Sequence, residues 1–247
     1  MAIYDHAVSI GGVPCHIEAG DTSLFEGYKA FVLHHNELGE GSEGGLELVS
    51  SLGGCHRGVP ESEGDRLYGA FGEMLPLHHR VIFHGVAVSY AGKGYVFTAA
   101  SGTGKSTHAF LWRRCLGDAV HILSGDKPVI SVDGDDFDGK IRVWGTPWGG
   151  KEQIFENGDA PLCGIGLICR DVRNYVERCD AADFFDVPFQ QMFIPGEDPA
   201  ATLALKVGEA LLERVPLYRI HCDMSEDAVR ASFEELTGLD YETHRAR

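Results

Sequence analysis

The residues of this chain with the clearest chemical use lie between 101 and 107, where Ser101, Gly102, Thr103, Gly104, Lys105, Ser106 and Thr107 follow one another. Two glycines one residue apart let a backbone take dihedrals closed to other residues and bring its N–H groups against anionic oxygens. A helix starting there adds the positive end of its dipole. Lys105 supplies a long, flexible point charge for the β and γ phosphates of a nucleotide, and the hydroxyl of Ser106, with Thr107 the lesser candidate, a ligand for Mg2+. The stretch fits G-x-x-x-x-G-K-[ST] except that Ala99 stands in place of the first glycine. A glycine-rich turn in front of a helix is the plain alternative.

Nucleotide phosphates held with magnesium call for an acid on a neighbouring strand end. Asp126, directly after the apolar run "AVHILSG", is placed to hold the metal, the alternative being a turn aspartate before Pro128. The loop "WGTPWGGK", residues 144 to 151, carries Lys151 as a cation for a phosphate or for the acceptor. Trp148 is there to stack on a base or to close the site. The competing reading of this loop is a packed turn anchored by its tryptophans. Arg142 and Arg170 are further phosphate cations, with surface ion pairing as their alternative.

Other chemistries fail on spacing. "DGDDFDGK" puts Phe137 and Asp138 where a calcium loop needs an oxygen ligand and a glycine, so it reads as an acidic hairpin tip. The adjacent pairs His34-His35 and His78-His79 point in different directions in any regular element, and Cys55-His56 has no partners at ligand spacing. The seven cysteines include no C-x-x-C pair and read as free thiols of a reducing cytoplasm. With 21 Lys+Arg against 37 Asp+Glu the net charge is −16, the wrong sign for nucleic acid or an anionic membrane as partner. No stretch has the length and apolarity of a membrane span.

The elements that must position these residues are clearest after residue 80. "VIFHGVAVSY" and "GYVFTAA" read as two strands joined at "AGKG", the second running straight into the glycine loop. "THAFLWRRCL" presents Phe110, Leu111, Trp112, Cys115 and Leu116 as the apolar side of a short helix. "AVHIL", "KPVISV" and "KIRVW" are strands, "LCGIGLICR" and "NYVERC" a further strand pair. Helices over about 199–214 and 225–237 flank the strand "VPLYRIHC". Residues 1–75 read only as short strands, among them "KAFVL", and loops, with a mobile segment expected between Gly39 and Gly72. The 44% hydrophobic content suits one globular domain over 1–247, with its core between 80 and 240.

With "FHGVAV" at 83–88, "SGTGKST" at 101–107 and "SGDKP" at 124–128, the chain resembles the HPr kinase/phosphorylase family over roughly residues 78–170. His84-Gly85 is similar to that family's His-Gly pair and precedes Lys105 by 21 residues. The resemblance implies an α/β fold like the HPr kinase C-terminal domain, a P-loop fold shared with phosphoenolpyruvate carboxykinases, with a mixed, strand-rich sheet and a few helices. It also implies phosphoryl transfer, with Asp126 as metal-linked acid or general base. Gly125 stands where the family carries a first aspartate, and Cys163 where its later motif carries arginine. If Asp126 holds the metal, His84 becomes the proton acceptor, since a free imidazole titrates near pH ~6.5. A strand histidine satisfied by backbone is the alternative.

The expectation is a cytoplasmic Mg-ATP-dependent kinase acting on a hydroxyl of a peptide, a protein or a small polyol, its catalytic residues Asp126, His84 and Lys105. Phosphorolysis and homo-oligomers are both compatible with it. A nucleotide-binding regulator without turnover is the first rival, and a carboxykinase-like lyase the second.

Overall fold

The computed structural model describes residues 4–19, 23–33, 47–50 and 62–246. The chain begins with β1 (Tyr4–Ile10) and β2 (Val13–Ala19), an antiparallel hairpin. The short helix α1 (Ser23–Tyr28) follows, and then β3 (Glu47–Ser50), parallel to β2. Helix α2 (Glu63–Met74) leads to β4 (Arg80–Ile82), β5 (Val86–Tyr90) and β6 (Lys93–Thr98). After the glycine loop come α3 (Lys105–Leu116), β7 (Val120–Ser124), β8 (Val129–Val132), β9 (Ile141–Trp144), β10 (Asp159–Arg170) and β11 (Tyr175–Cys179). The rest is α4 (Ala181–Phe184), α5 (Asp186–Gln191), α6 (Ala200–Arg214), β12 (Leu217–Cys222), α7 (Glu226–Thr237) and α8 (Tyr241–His244).

Among the described residues nine strands form the main sheet in the order β4-β8-β9-β10-β6-β5-β7, with β12 on the far side of β10 and β11 beyond it. Strand β10 makes this possible through its length. Its first residues run antiparallel to β9, and the remainder runs parallel to β6 on one edge and to β12 on the other. The sheet is therefore mixed, strand-rich and curled. Ala91 and Gly92 close the β5–β6 hairpin with φ of 49° and 73°, the pair of left-handed residues that a tight, twist-matched turn requires.

Both faces of the sheet are covered, which explains the continuous apolar runs of its strands. Alternate residues on a strand point to opposite faces. Val86, Val88, Tyr95 and Phe97 pack with Trp112 of α3 and Phe233 of α7, while Ala87 and Val96 pack with Ala204, Val207 and Leu211 of α6. A third core lies between the β1–β2 hairpin and α2, where Val8, Ile10, Phe31, Leu67 and Phe71 reach Ile82 and Val129 of the main sheet.

Three expectations are corrected. The end of the Gly39–Gly72 segment, from Glu63 on, lies in α2 (Glu63–Met74), started by a Ser62/Asp65 capping box; Gly64, Gly69 and Gly72 thin out its pattern, but Leu67 and Phe71 face the core. "KAFVL" holds a 3-10 turn over Lys29–Phe31 where a strand was expected. The strands β10 and β11 are not paired to each other, because β12 lies between them. Residues 34–46 and 51–61, including His34-His35 and Cys55-His56, lie outside the described residues.

The "DGDDFDGK" stretch does form the tip of the β8–β9 hairpin. The six described cysteines are free thiols. Among the described residues no helix is long and apolar enough to cross a membrane, and no group of three or more His, Cys, Asp or Glu is arranged to hold a metal.

Candidate functional site

The glycine loop leaves β6 at Thr98 and enters α3 at Lys105, as strand, loop and helix in direct succession. Gly102 has φ +77° and Gly104 +127°, conformations that L side chains rarely adopt, so both glycines are required. Ala99 has no such φ and is buried at the end of the strand, which is why a methyl group is tolerated at the position of the missing glycine. The first helical bond of α3 runs from His108 N–H to Gly104 O at 2.9 Å. The amides of Lys105, Ser106 and Thr107 precede it and, like that of Gly104, have no protein acceptor among the described residues. The Thr103 amide is used, donating to Ala100 O at 3.2 Å.

A cleft of about 650 Å3 opens beside this loop, lined by Ser101, Gly102, Lys105 and Ser106 on one wall and by His84, Asp126, Lys127, Lys151 and Gln191 on the others. Lys105 is buried at 8% exposure, and its ammonium points at His84, with Nζ 3.1 Å from His84 Nε2 and 3.3 Å from Ala99 O. Burial pulls the Lys105 pKa down, opposed by the charge of Asp126. His84 Nε2 also lies 3.5 Å from Asp126 Oδ1, and Nδ1 is 3.0 Å from Gln191 Oε1. The His84 ring beside it holds the Asp126 carboxyl below the usual range, with help from the charges of Lys127 and Lys105 and against the effect of burial.

Three separate elements hold His84 in this position. Its N–H donates to Gln191 O at 2.7 Å, its carbonyl accepts from Thr98 Oγ1 at 2.8 Å, and the next residue, Gly85, donates to Asp126 O at 2.8 Å. A charged Lys105 sets the tautomer of the ring. An ammonium only donates, so Nε2 accepts from Lys105, Nδ1 carries the hydrogen, and Gln191 presents its oxygen. A proton arriving at Nε2 finds the Asp126 carboxylate beside it.

Gly125 explains the single aspartate. A Cβ at this position would sit 2.5 Å from Gly149 O and 3.0 Å from Ile154 O, so no side chain fits in front of Asp126. The cleft instead gains Lys127, whose ammonium lies 4.0 Å from the centre of the Tyr68 ring. Burial and the nearby Asp126 charge push the Tyr68 hydroxyl up to about 12.

The remaining sequence candidates separate. Lys151, exposed on a 3-10 turn over Gly150–Glu152, lines the cleft with Glu152 beside it. Trp148 does not line it. Its indole meets Tyr68 and Phe71 edge-on at 5.4 and 5.5 Å and donates to Tyr28 Oη at 3.2 Å, so it packs on the third core. Arg142 pairs with Asp159, and Arg170 donates to carbonyls of the glycine loop. Thr103, Gly104 and Thr107 face a second cavity of about 420 Å3 on the other side of the loop, floored by Leu111 and Ile168. Ser106, not Thr107, therefore shares the main cleft with Asp126.

Sequence reasoning missed Gln191, Tyr68 and Lys127. Lys127 was within reach as the cation next to Asp126, but Gln191 and Tyr68 come from α5 and α2, which carry no motif.

The fold and this cleft define a mixed α/β protein whose strand-rich, curled sheet presents a glycine loop at the start of a helix. It is similar in structure to the Hpr(Ser) kinase/phosphatase from Coxiella burnetii, with 10% sequence identity, 66% of this chain and 96% of that chain covered, and a TM-score of 0.34. No protein-family model matches the sequence, and no curated protein matches it.

Proposed function

We propose that the chain is a Mg-ATP-dependent phosphotransferase that moves the γ-phosphoryl group to a hydroxyl, of a serine in a peptide or protein or of a small polyol. One observation carries this reading. Among the described residues the amides of Gly104, Lys105, Ser106 and Thr107 have no protein acceptor at the start of α3, and the ammonium of Lys105 converges with His84 and Asp126 in the adjoining cleft. A helix-start amide cluster with a lysine suits phosphate oxygens. The Ser106 hydroxyl and the Asp126 carboxylate are hard oxygen ligands of the kind that hold magnesium together with substrate phosphates.

In this reading the loop amides and Lys105 bind the β and γ phosphates, and Leu111 and Ile168 receive the nucleoside. Ser106 and Asp126 would hold Mg2+, whose charge offsets that developing on the phosphate oxygens. Phosphate draws the Lys105 ammonium off His84, leaving Nε2 free. The acceptor oxygen forms its bond to γ-phosphorus as the bond to the β–γ bridging oxygen breaks and ADP leaves. The hydroxyl proton passes to His84 Nε2, where Asp126 stabilises the imidazolium and Gln191 keeps the Nδ1 hydrogen. Lys151 at the mouth offers a cation to the acceptor or to the phosphoryl group.

Mg-ATP at about 100 times its dissociation constant is expected to stabilise the fold by roughly 2.7 kcal/mol, read as a thermal or denaturant shift. Lys105→Ala should abolish the shift. Asp126→Asn should stop transfer of label from γ-labelled ATP to an acceptor in cell extract. Absence of any shift with Mg-ATP or Mg-GTP would end the nucleotide reading. Binding with neither transfer nor hydrolysis would instead make the chain a regulator.

A further inference from the structure

Arg170 has the charge of a phosphate ligand but a different place in the fold. It is the last residue of β10, which runs parallel to β6, so its side chain leaves the sheet at the edge where β6 hands over to the glycine loop. Its Nε donates to Thr103 O at 2.9 Å, and its Nη2 donates to Gly102 O. The neighbouring acid, Asp171, is turned to His221 and Arg173 and does not compete for the guanidinium. Arg170 lines the second cavity and not the cleft that holds Lys105, His84 and Asp126.

Two successive carbonyls gripped by one planar fork fix two peptide planes. In a trans peptide the C=O and N–H point in opposite directions, so anchoring Thr103 O aims the Gly104 N–H away from Arg170. That N–H is one of the amides without a protein acceptor among the described residues. The grip matters because glycines stand at both ends of the segment, with φ +77° and +127°. Glycine reaches the opposite sign of φ almost as easily, and each of the two peptides gripped here has a glycine at one end, so neither is held by the local chain alone.

We propose that Arg170 is a positioning residue that pins the Gly102–Gly104 segment in its phosphate-accepting form from behind, without touching phosphate. The inference rests on the nucleotide reading for its consequence but not for its geometry, so the experiment has two arms. In the first, Mg-ADP binding is measured for the wild type, Arg170→Ala and Arg170→Lys. A loop that is phosphate-ready only part of the time weakens binding in proportion, and the alanine variant should lose about tenfold or more in affinity. Lysine should recover little of it, since a point charge cannot hold two carbonyls in a fixed fork. Full recovery by lysine would make Arg170 an ordinary phosphate cation and overturn the proposal.

The second arm needs no nucleotide. Backbone NMR of the free protein should show the Gly102, Thr103 and Gly104 amides as single sharp signals in the wild type. In Arg170→Ala they should be shifted and broadened by exchange, with the rest of the spectrum and the melting temperature unchanged. Unaltered loop signals in that variant would overturn the clamp. Altered loop signals in a chain that binds no Mg-ADP or Mg-ATP would leave the clamp standing and remove the nucleotide reading alone.

Discussion

At the scale of single residues, the site depends on where side chains are absent as much as on where they are present. Gly125 lets two carbonyls from the 149–154 loop close over the backbone in front of Asp126, and a methyl group there would meet Gly149 O at 2.5 Å. Gly125→Ala is therefore expected to cost about 1–3 kcal/mol in a urea titration, the range of an overpacked site. It should also displace Asp126 from His84. A variant as stable as the wild type would mean that this loop yields freely. The position looks like a lost aspartate in the sequence, because the carbonyls that exclude a side chain come from residues 24 and more positions away. His84 shows the converse. Its separation from Lys105 in the sequence marked it, and the two nitrogens do meet at 3.1 Å, but the carbonyls and hydroxyl that hold its backbone and the amide that holds its ring had no signature.

At the scale of elements, helix α3 joins the glycine loop to the core through a buried polar contact. His108 is fully enclosed, with Nε2 2.9 Å from Ser232 Oγ of α7, a hydroxyl that also accepts from Trp112 Nε1 at 2.8 Å. Burial lowers the His108 pKa from 6.5 to about 4, so the folded chain keeps the ring neutral. Above pH 6.5 neither the folded nor the unfolded chain carries this proton, and the residue adds no slope. Between 6.5 and about 4 only the unfolded chain takes it, so stability falls as the pH falls through that window. The loss approaches roughly 3 kcal/mol. His108→Gln, which keeps a donor but cannot titrate, should flatten that part of a stability–pH curve. An unchanged slope would assign it to other groups. The helix itself was legible because Leu111, Trp112 and Leu116 are buried at helical spacing. Helices α4 and α5 were not, being four and six residues long and placed by packing against α6.

At the scale of the whole molecule, the third core decides how much of the chain must fold together. Val8, Ile10, Phe31 and Phe71 bury Ile82 and Val129, which belong to the same sheet as the glycine loop, and Tyr28 holds Trp148 in the loop that leads to Lys151. One cooperative unfolding transition is expected by calorimetry, with calorimetric and van't Hoff enthalpies equal. Deletion of residues 1–61 should lower the melting temperature and shift tryptophan emission to the red, as Trp144 and Trp148 gain water. Two separate transitions in the full chain would instead divide it into independent units. The net charge of −16 gives the surface a field hostile to anions, so the proposed nucleotide would have to be drawn by the local group of Lys105, Lys127, Lys151 and the loop amides.

The amino-acid sequence determined what is local. The glycine loop and its helix, the β5–β6 hairpin, most strands after residue 80 and the last two long helices follow from turn chemistry and periodicity, which act over a few residues. Only the tertiary structure decided which strands are neighbours, why Gly125 bears no side chain, that Trp148 belongs to a core, and that Arg170 and Gln191 support the loop and His84. Those relations depend on contacts between segments 40 to more than 100 residues apart. No local pattern encodes them, because a glutamine or an arginine has the same intrinsic preferences wherever the sheet brings it.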